Sequence, residues 1–351
     1  MNSIEKLGWN ESISEVESDK LARVIAVQKN SYRISDGELE YFAHLTGKFL
    51  NQAQTSLDFP AVGDWVKVQK LPEEQKAVIH RVLPRKSQFV RQAAGVKTEG
   101  QLVAANMDLV FIVNSLNHDV NVRRIERYIL ATYESSASPV IVLTKLDETT
   151  PEEVVRITSQ VEEVAIGVPI VAISSITGEG MDELIDYLPA KKTVALLGSS
   201  GVGKSTLVNK LCGEIVQETN DIRASDSKGR HTTTHREMFT LPSGALLIDT
   251  PGMRELQLWD GESAIDTTFQ DIETLALDCR FTDCQHDTEP GCRVQEALKF
   301  GELSTERFQS YLKLQRELAF EKRKQDQKAR LEEKSKWKKV SKQLKDKYKN
   351  R

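Results

Sequence analysis

One short segment constrains the fold of this chain more than any other, because it fits the pattern G-x-x-x-x-G-K-[ST]. The segment is Gly198, Ser199, Ser200, Gly201, Val202, Gly203, Lys204, Ser205 and Thr206. It follows the apolar run 193–197 and leads into helix-forming residues near Lys204. Glycines let successive backbone N–H groups converge on phosphate oxygens, and a helix N-terminus adds positive potential. The sequence therefore predicts an α/β domain with a phosphate loop, in which Lys204 contacts the β- and γ-phosphates and the Ser205 hydroxyl binds Mg²⁺.

A second phosphate-side motif lies further along the chain. Asp249, Thr250, Pro251 and Gly252 come directly after the apolar run 245–248. An Asp at a strand end can hold Mg²⁺ through water, and the N–H of Gly252 can donate to a γ-phosphate. The pattern D-x-x-G is common by itself, but its position after the phosphate loop indicates a nucleotide-hydrolysing domain.

Two strand-end motifs predict recognition of guanine. The first is Thr144, Lys145, Leu146 and Asp147, and the second is Ser174, Ser175 and Ile176. The Asp147 carboxylate can accept from both the N1–H and the N2–H of guanine, a match that adenine lacks and that a site uses to reject analogues. The Lys145 stem can cover the purine face, and backbone N–H groups of the second motif are placed to contact O6. An ATPase interpretation would require Asp147 to be idle.

Four residues form a pattern that is typical of structural zinc. Cys279, Cys284, His286 and Cys292 supply three thiolates and one imidazole within fourteen residues. Four such ligands close a tetrahedron and leave no open position for catalysis. Because so short a segment has little core, we expect the metal to supply most of its folding energy. The remaining cysteine, Cys212, follows the phosphate loop and is predicted to be core.

Changes in the pattern of apolar, turn-forming and charged residues divide the chain into five segments. Short strand-like runs at 21–27, 38–46, 63–69 and 77–83 are separated by Gly and Pro, which favours a small β-barrel. Compact apolar runs at 109–113, 140–143, 170–173 and 194–197 are typical of parallel strands in an α/β sheet. The predicted segments are an acidic lead-in (1–20), an OB-type RNA-binding barrel (21–95), a GTPase domain (96–257), a zinc-binding helical domain (258–320) and a basic tail (321–351).

The order of the motifs is rotated, because both guanine elements precede the phosphate loop. The sheet itself need not change, since domain termini lie close together and can be rejoined elsewhere. This order, the sequence Gly-Arg-His-Thr-Thr-Thr at 229–234 and the pattern Cys-x4-Cys-x-His-x5-Cys resemble the circularly permuted RsgA family of ribosome-assembly GTPases, also called YjeQ or YloQ. The resemblance covers about residues 20 to 320. It implies a bacterial maturation factor that binds the small (30S) ribosomal subunit and its 16S rRNA, with GTPase activity stimulated by that particle.

The resemblance also implies the catalytic residues. Many GTPases orient the attacking water with a Gln directly after D-x-x-G, but this chain has Met253 there. By resemblance His231 is the candidate replacement, since a neutral imidazole can accept a hydrogen bond from water. One threonine of 232–234 is expected to complete the Mg²⁺ shell, and we favour Thr233. Thr144 departs from the usual Asn, so we expect the phosphate loop to lose the amide that braces it.

RNA contacts are predicted from charge. The chain carries a formal net charge of -4, yet residues 321–351 hold fourteen Lys/Arg against five Asp/Glu. Clustered cations release counterions from RNA, although a solvated charged helix is an alternative explanation for this tail. Barrel residues that could stack on or neutralise RNA, although each by itself is more often core or ordinary surface, are Tyr32, Arg33, Tyr41, His44, Trp65 and Lys67.

The sequence predicts a cytoplasmic monomer that does not bind membranes. No apolar run approaches the roughly 18 residues that cross a bilayer, and the polar start lacks the apolar stretch of a secretory signal. The hypothesis is a GTPase with one structural Zn²⁺ and with Mg²⁺ bound alongside GTP or GDP. The alternatives are a tRNA-directed GTPase and a nucleotide-gated RNA-binding module with negligible hydrolysis.

Overall fold

The structure is a computed structural model that describes residues 3–9, 17–28, 31–92, 100–117, 120–217, 236–249, 262–320 and 323. The chain divides into two compact units, residues 1–257 and residues 258–351. The helices of the first unit are α1 (Ser3–Lys6), α2 (Gly47–Gln52), α3 (Val122–Glu134), α4 (Pro151–Glu162), α5 (Met181–Asp186) and α6 (Lys204–Cys212). Within the described ranges, no helix has the length and apolar character that crossing a membrane requires.

The first unit begins with a closed β-barrel. Its strands are β1 (Leu21–Gln28), β2 (Ser31–Ser35), β3 (Glu40–Leu45), β4 (Trp65–Leu71) and β5 (Lys76–Val82). They pair in the order β1-β2-β3-β5-β4, and β1 pairs again with β4, which closes the barrel. The β3–β5 pair is parallel and the other pairs are antiparallel. The predicted barrel is confirmed, although β2 was not among the predicted runs.

Three of the RNA-contact candidates are buried, which bears out their interpretation as core residues. Tyr32 and Tyr41 belong to the apolar core of the barrel, and they are 7% and 3% exposed. Trp65 is 1% exposed and packs edge-on against the ring of Trp9. Because side chains of a strand alternate between its two faces, Tyr32 and Tyr41 point into the barrel, whereas Trp65, next to the core residue Val66, is buried on the other face of β4 against Trp9 and Arg23. Buried in these two places, the three rings cannot stack on RNA bases. His44 is exposed, so it stays available for such a contact.

The α/β sheet follows the barrel. Its strands are β8 (Leu109–Ser115), β9 (Ser138–Thr144), β10 (Ile170–Ala172), β11 (Thr193–Leu197), β12 (Arg236–Thr240) and β13 (Leu246–Asp249). They lie in the order β10-β9-β8-β11-β13-β12, with all pairs parallel except the antiparallel β12–β13 pair. The four predicted apolar runs coincide with β8 to β11. Because parallel strands end at the same edge, the loops after β8, β9, β11 and β13 meet there.

The barrel and the α/β sheet are continuous. Strand β1 pairs antiparallel with β12, and a separate hairpin of β6 (Gln88–Gln92) and β7 (Gly100–Ala105) also follows the barrel. Arg23 lies at this junction and is 1% exposed. It donates to the carbonyl oxygens of Leu7, Gly63 and Asn106, which belong to the N-terminal segment, the barrel and the α/β part. Burial lowers the pKa of Arg23 to about 10.

The second unit is helical. Its helices are α7 (Glu262–Thr268), α8 (Gln270–Leu277), α9 (Arg293–Phe300) and α10 (305–320). Helix α9 ends at Gly301, which has a φ of 74°, and the Ser304 side chain accepts from the N–H of Arg307 at the start of α10. The aromatic rings of Phe308 and Tyr311 are buried on α10.

Candidate nucleotide site and metal centre

The glycines of the phosphate loop are required by its geometry. A Cβ atom at Gly198 would lie 2.3 Å from the carbonyl oxygen of Val113, so only glycine fits beside β8. Gly203 has a φ of 89° and directly precedes α6, a backbone conformation that favours glycine. Val202 is 2% exposed and anchors the loop in the core of the sheet. The loop therefore runs from β11 into α6 as the motif predicts.

Lys204 begins α6 and folds back over the loop. Its Nζ donates to the carbonyl oxygens of Gly198 and Ser199 at 2.8 Å and 2.5 Å. A phosphate oxygen can replace these carbonyls, because an ammonium group binds an anion more strongly than a neutral acceptor. Ser205 is the next residue of the helix and is half-buried.

Besides Ser205, the predicted Mg²⁺ ligand that lies in the described residues is Asp249. It ends β13 and is 6% exposed, and its Oδ2 accepts from the Nε2 of Gln217. Since β13 is the parallel neighbour of β11, Asp249 and the phosphate loop lie at the same edge of the sheet. The other predicted phosphate, Mg²⁺ and water contacts, Gly252, Thr233 and His231, lie outside the described residues.

The first guanine motif forms a turn after β9. Lys145 has a φ of 64°, and residues 146–148 form one turn of 3-10 helix. The N–H of Leu146 donates to the carbonyl oxygen of Ile173 at 3.1 Å, which ties the turn to the loop after β10. The Asp147 side chain is exposed to solvent, and Lys145 Nζ lies 3.7 Å from a carboxylate oxygen of Glu148.

The second guanine motif is shaped by its first serine. Ser174 is buried, and its Oγ accepts from the backbone N–H groups of Ile176 and Thr177 at 3.2 Å and 3.0 Å. The Oγ of Ser175 is buried and has no hydrogen-bond partner in the part of the chain that the structure describes. Ile176 is 71% exposed. The structure thus brings the two guanine motifs together as adjacent loops.

Thr144 corrects the expectation that the phosphate loop loses its brace. The Thr144 side chain is buried at the end of β9, and its Oγ1 lies 2.6 Å from the carbonyl oxygen of Val202. A second carbonyl oxygen, that of Asn114, lies 3.2 Å away. The hydroxyl therefore makes the contact that was expected to require an amide. It joins the guanine motif directly to the phosphate loop.

One residue that contacts the phosphate loop, Arg124, was not among the predicted site residues. Arg124, in the first turn of α3, donates from Nη1 to the Oγ of Ser199 at 2.5 Å. No motif marks this arginine, because it is 75 positions from Ser199 in the sequence. Only the order of the strands, with β8 beside β11, indicates that the helix after β8 reaches the loop.

The cysteine and histidine ligands lie together as predicted. One ligand atom from each of Cys279, Cys284, His286 and Cys292 lies within 4.8 Å of the others. Cys279 Sγ is 3.8 Å from Cys292 Sγ, and these sulfurs are 3.6 Å and 3.5 Å from His286 Nδ1. Thiolates about 2.3 Å from one zinc ion at tetrahedral angles lie about 3.8 Å apart. The donor set and its spacing therefore fit one metal ion.

Two of the thiols differ in acidity. Burial raises the pKa of Cys292 to about 11. Burial also opposes ionisation of Cys279, but the backbone N–H groups of Val294 and Arg293 donate to its sulfur and bring its pKa below the ordinary value. Those N–H groups belong to the first turn of α9, which favours a negative charge there.

The fold and the nucleotide site define a class of protein: a GTPase with a phosphate loop and a circularly permuted motif order. The sequence profile described as "RsgA GTPase" matches residues 82–259. The chain belongs to the RsgA GTPase family. A second profile, described as "ABC transporter", matches residues 186–346, a span that contains the phosphate loop common to nucleotide hydrolases.

Curated relatives support this assignment. The chain is 47% identical over 329 residues to "Small ribosomal subunit biogenesis GTPase RsgA 1" of Oceanobacillus iheyensis, covering 93% of each chain. It is 46% identical over 301 residues to "Small ribosomal subunit biogenesis GTPase RsgA 2" of Lactiplantibacillus plantarum, covering 86% of this chain and 84% of the relative.

Solved structures show the same architecture. YjeQ from Thermotoga maritima matches with a TM-score of 0.64 and 28% identity, over 86% of this chain and 98% of that chain. YloQ, described as a circularly permuted GTPase, matches with a TM-score of 0.62 over 85% of this chain and 94% of that chain. At 22% identity, the YloQ match supports the fold alone.

Proposed function

We propose that this chain hydrolyses GTP during late maturation of the small ribosomal subunit, and that the 30S particle with its 16S rRNA stimulates turnover. The observation that carries the proposal is the contact between Thr144 and Val202. It links the loop that contains Asp147 to the loop that contains Lys204, so one nucleotide can be held at both ends. The printed names of the curated relatives supply the biological process.

We assign a nucleotide-binding role to the residues of each loop. Asp147 selects guanine, helped by Thr144, Lys145 and Leu146 and by the backbone of Ser174, Ser175 and Ile176. Residues 198–206 hold the phosphates through backbone N–H groups and Lys204, and Gly252 adds one more donor. Ser205, Thr233 and Asp249 are the proposed Mg²⁺ ligands.

His231 is the proposed residue that orients the attacking water. A missing activating group costs on the order of 10³- to 10⁵-fold in GTPase rate, so we expect slow turnover of the isolated chain. A His231→Ala variant should bind GTP normally and lose the stimulated turnover. Unchanged stimulated turnover in that variant would remove His231 from the mechanism.

We propose that the metal held by Cys279, Cys284, His286 and Cys292 is one structural Zn²⁺. Three sulfurs and one ring nitrogen suit zinc, and they leave no ligand position open for substrate. The chain is further proposed to act as a cytoplasmic monomer, with the basic tail 321–351 adding affinity for rRNA.

The deciding experiment is GTP hydrolysis by the full chain, measured alone, with small ribosomal subunits, with large subunits and with tRNA. We expect stimulation by small subunits only. A Lys204→Ala variant, which loses the cation at the phosphates, should abolish the stimulated rate. Stimulation by tRNA instead would favour the tRNA-directed alternative. Tight GTP-dependent RNA binding with no hydrolysis under any condition would favour the nucleotide-gated binding module.

A further inference from the structure

Arg124 reaches the phosphate loop from a different layer of the fold. It lies in the first turn of α3, where the side chain of Asn121 accepts from its backbone N–H at 3.1 Å and fixes the helix start. Its guanidinium donates to the Oγ of Ser199, the second residue of the loop, and is half-buried. A charged donor at 2.5 Å from a hydroxyl oxygen is a strong hydrogen bond.

Ser199 is therefore held by two cations. Its hydroxyl accepts from Arg124, and its carbonyl oxygen accepts from Lys204. Lys204 must leave that carbonyl when it turns to phosphate oxygens, whereas the bond from Arg124 uses a side chain and can persist. Of these two ties, only the one from Arg124 can hold Ser199 both before and after nucleotide binds.

This hydrogen bond from Arg124 matters because the glycines of the loop otherwise give its backbone wide conformational freedom. Gly201 and Gly203 have φ values of 83° and 89°, and glycine loses more conformational freedom on ordering than any other residue. Ordering the loop on nucleotide binding costs conformational entropy, and each fixed contact made beforehand reduces that cost. Thr144 restrains the loop at Val202, beyond Gly201, and Arg124 restrains it at Ser199, before Gly201.

We infer that Arg124 is a positioning residue that holds the phosphate loop in its nucleotide-binding shape through Ser199. The inference rests on the proposed function, since it assumes that nucleotide binds at this loop. Ser199 precedes the residues that contact the γ-phosphate, so we expect the contact to form equally with GDP and GTP and to add uniform binding energy. Its loss should raise KM and both dissociation constants while leaving kcat nearly unchanged.

A double-mutant cycle tests this coupling in the full chain. The variants are Arg124→Gln, Ser199→Ala and the combination, and the readout is the dissociation constant of a fluorescent GDP analogue with Mg²⁺. We expect each single variant to weaken binding by about tenfold, the range of a hydrogen bond to a charged group. The combined variant should bind the GDP analogue no more weakly than the single variant with the larger loss, because both substitutions remove the same contact.

A matched control separates the contact from charge. Arg156→Gln removes a cation from α4 of the same unit, where Arg156 is exposed and contacts Gln160 of its own helix. This control should bind GDP like the parent chain. An Arg124→Lys variant keeps the charge but not the planar guanidinium, and we expect it to recover only part of the affinity.

Several outcomes would overturn the inference. Additive losses of GDP affinity in the cycle would do so, as would parent-like GDP binding by Ser199→Ala. If Arg124→Lys also keeps full affinity, the positive charge of Arg124 acts without its contact to Ser199. A loss of kcat with unchanged affinity would also contradict it. If the variants unfold at lower urea concentration but bind GDP normally when folded, Arg124 is merely structural and the inference fails. Failure of the parent chain to bind GDP would instead overturn the proposed function.

Discussion

In the nucleotide-binding sheet, β11 buries all five of its residues, whereas most of residues 279–292, all described by the structure, are exposed or half-buried. The sheet thus takes its shape from apolar burial and strand pairing, which any well-packed core provides. The cysteine segment has too little buried surface for that, and we propose that a metal ion held by its four ligand atoms, which lie within 4.8 Å of one another, replaces the missing core. The two regions should therefore fail under different treatments.

The largest expected effect is loss of the metal ligand Cys292. A Cys292→Ser variant should lose its bound zinc and the fold of 279–292, because structural zinc supplies about 10 to 16 kcal/mol of binding free energy in small domains. Zinc content and limited proteolysis measure this, while GDP affinity at the first unit should stay unchanged. The control is Cys212→Ser, which removes a half-buried thiol outside the cluster. Retention of zinc by Cys292→Ser would contradict the metal-centred account.

The next largest effect is expected in the first unit, from substitution of the buried Arg23. An Arg23→Met variant leaves the carbonyl oxygens of Leu7, Gly63 and Asn106 without this donor. We expect the first unit to lose about 3 kcal/mol of unfolding free energy, since each unsatisfied buried acceptor costs on the order of 1–3 kcal/mol. Urea unfolding measures the loss, and zinc content should not change. Arg81→Met, at an exposed barrel arginine, is the control.

Thr144 supplies a smaller and more local effect. A Thr144→Val variant keeps the shape of the side chain but loses the hydroxyl that contacts Val202. We expect GDP and GTP affinity to fall about tenfold, or about 1.4 kcal/mol, from loss of one buried hydrogen bond. Equilibrium nucleotide binding measures it. Thr144→Asn, with a longer side chain that can still donate, should bind GDP and GTP more tightly than Thr144→Val. Equal nucleotide binding by Thr144→Val and the parent would show that the contact with Val202 does not contribute to affinity.

The smallest expected effect depends on pH. Burial opposes ionisation of Asp108, but the Thr193 N–H and the ammonium groups of Lys86 and Lys192 hold its pKa below the ordinary value. A lowered folded-state pKa stabilises the protein above the unfolded-state pKa, and that stabilisation disappears as pH falls through the folded-state pKa. Asp108→Asn should therefore lower the free energy of unfolding by about 1 kcal/mol at neutral pH, since both lysines are largely exposed, and by progressively less as pH falls through the folded-state pKa of Asp108. Urea unfolding at pH 7 and pH 3 checks this; an equal cost at both pH values would assign the effect to packing.

Patterns within short segments predicted most of the fold. The apolar runs that became β8, β9 and β11 are buried on both faces, which makes them continuous in the sequence. Thr150 caps α4, because its side chain accepts from the N–H of Glu153. The strand β2, with its polar ends, gave no such run.

Long-range contacts were harder to predict. The spacing of Cys279 to Cys292 was enough to predict a metal site, since the ligands are close in the chain. The contacts Thr144–Val202 and Arg124–Ser199 join residues 58 and 75 positions apart, and they depend on strand order rather than on a local pattern. Whether Tyr32 and Tyr41 faced RNA or the core likewise depended on how the barrel closed.

The central claim is that Asp147 and Lys204 hold opposite ends of one guanine nucleotide. The direct test is to measure GDP and xanthosine diphosphate affinity for the parent chain, Asp147→Asn and Lys204→Ala. We predict that the parent prefers GDP and that Lys204→Ala weakens both ligands without changing their order. Asp147→Asn should reverse the preference, because its amide donates where guanine offers no acceptor. Undiminished GDP binding by Asp147→Asn, with no gain for the xanthosine nucleotide, would contradict it.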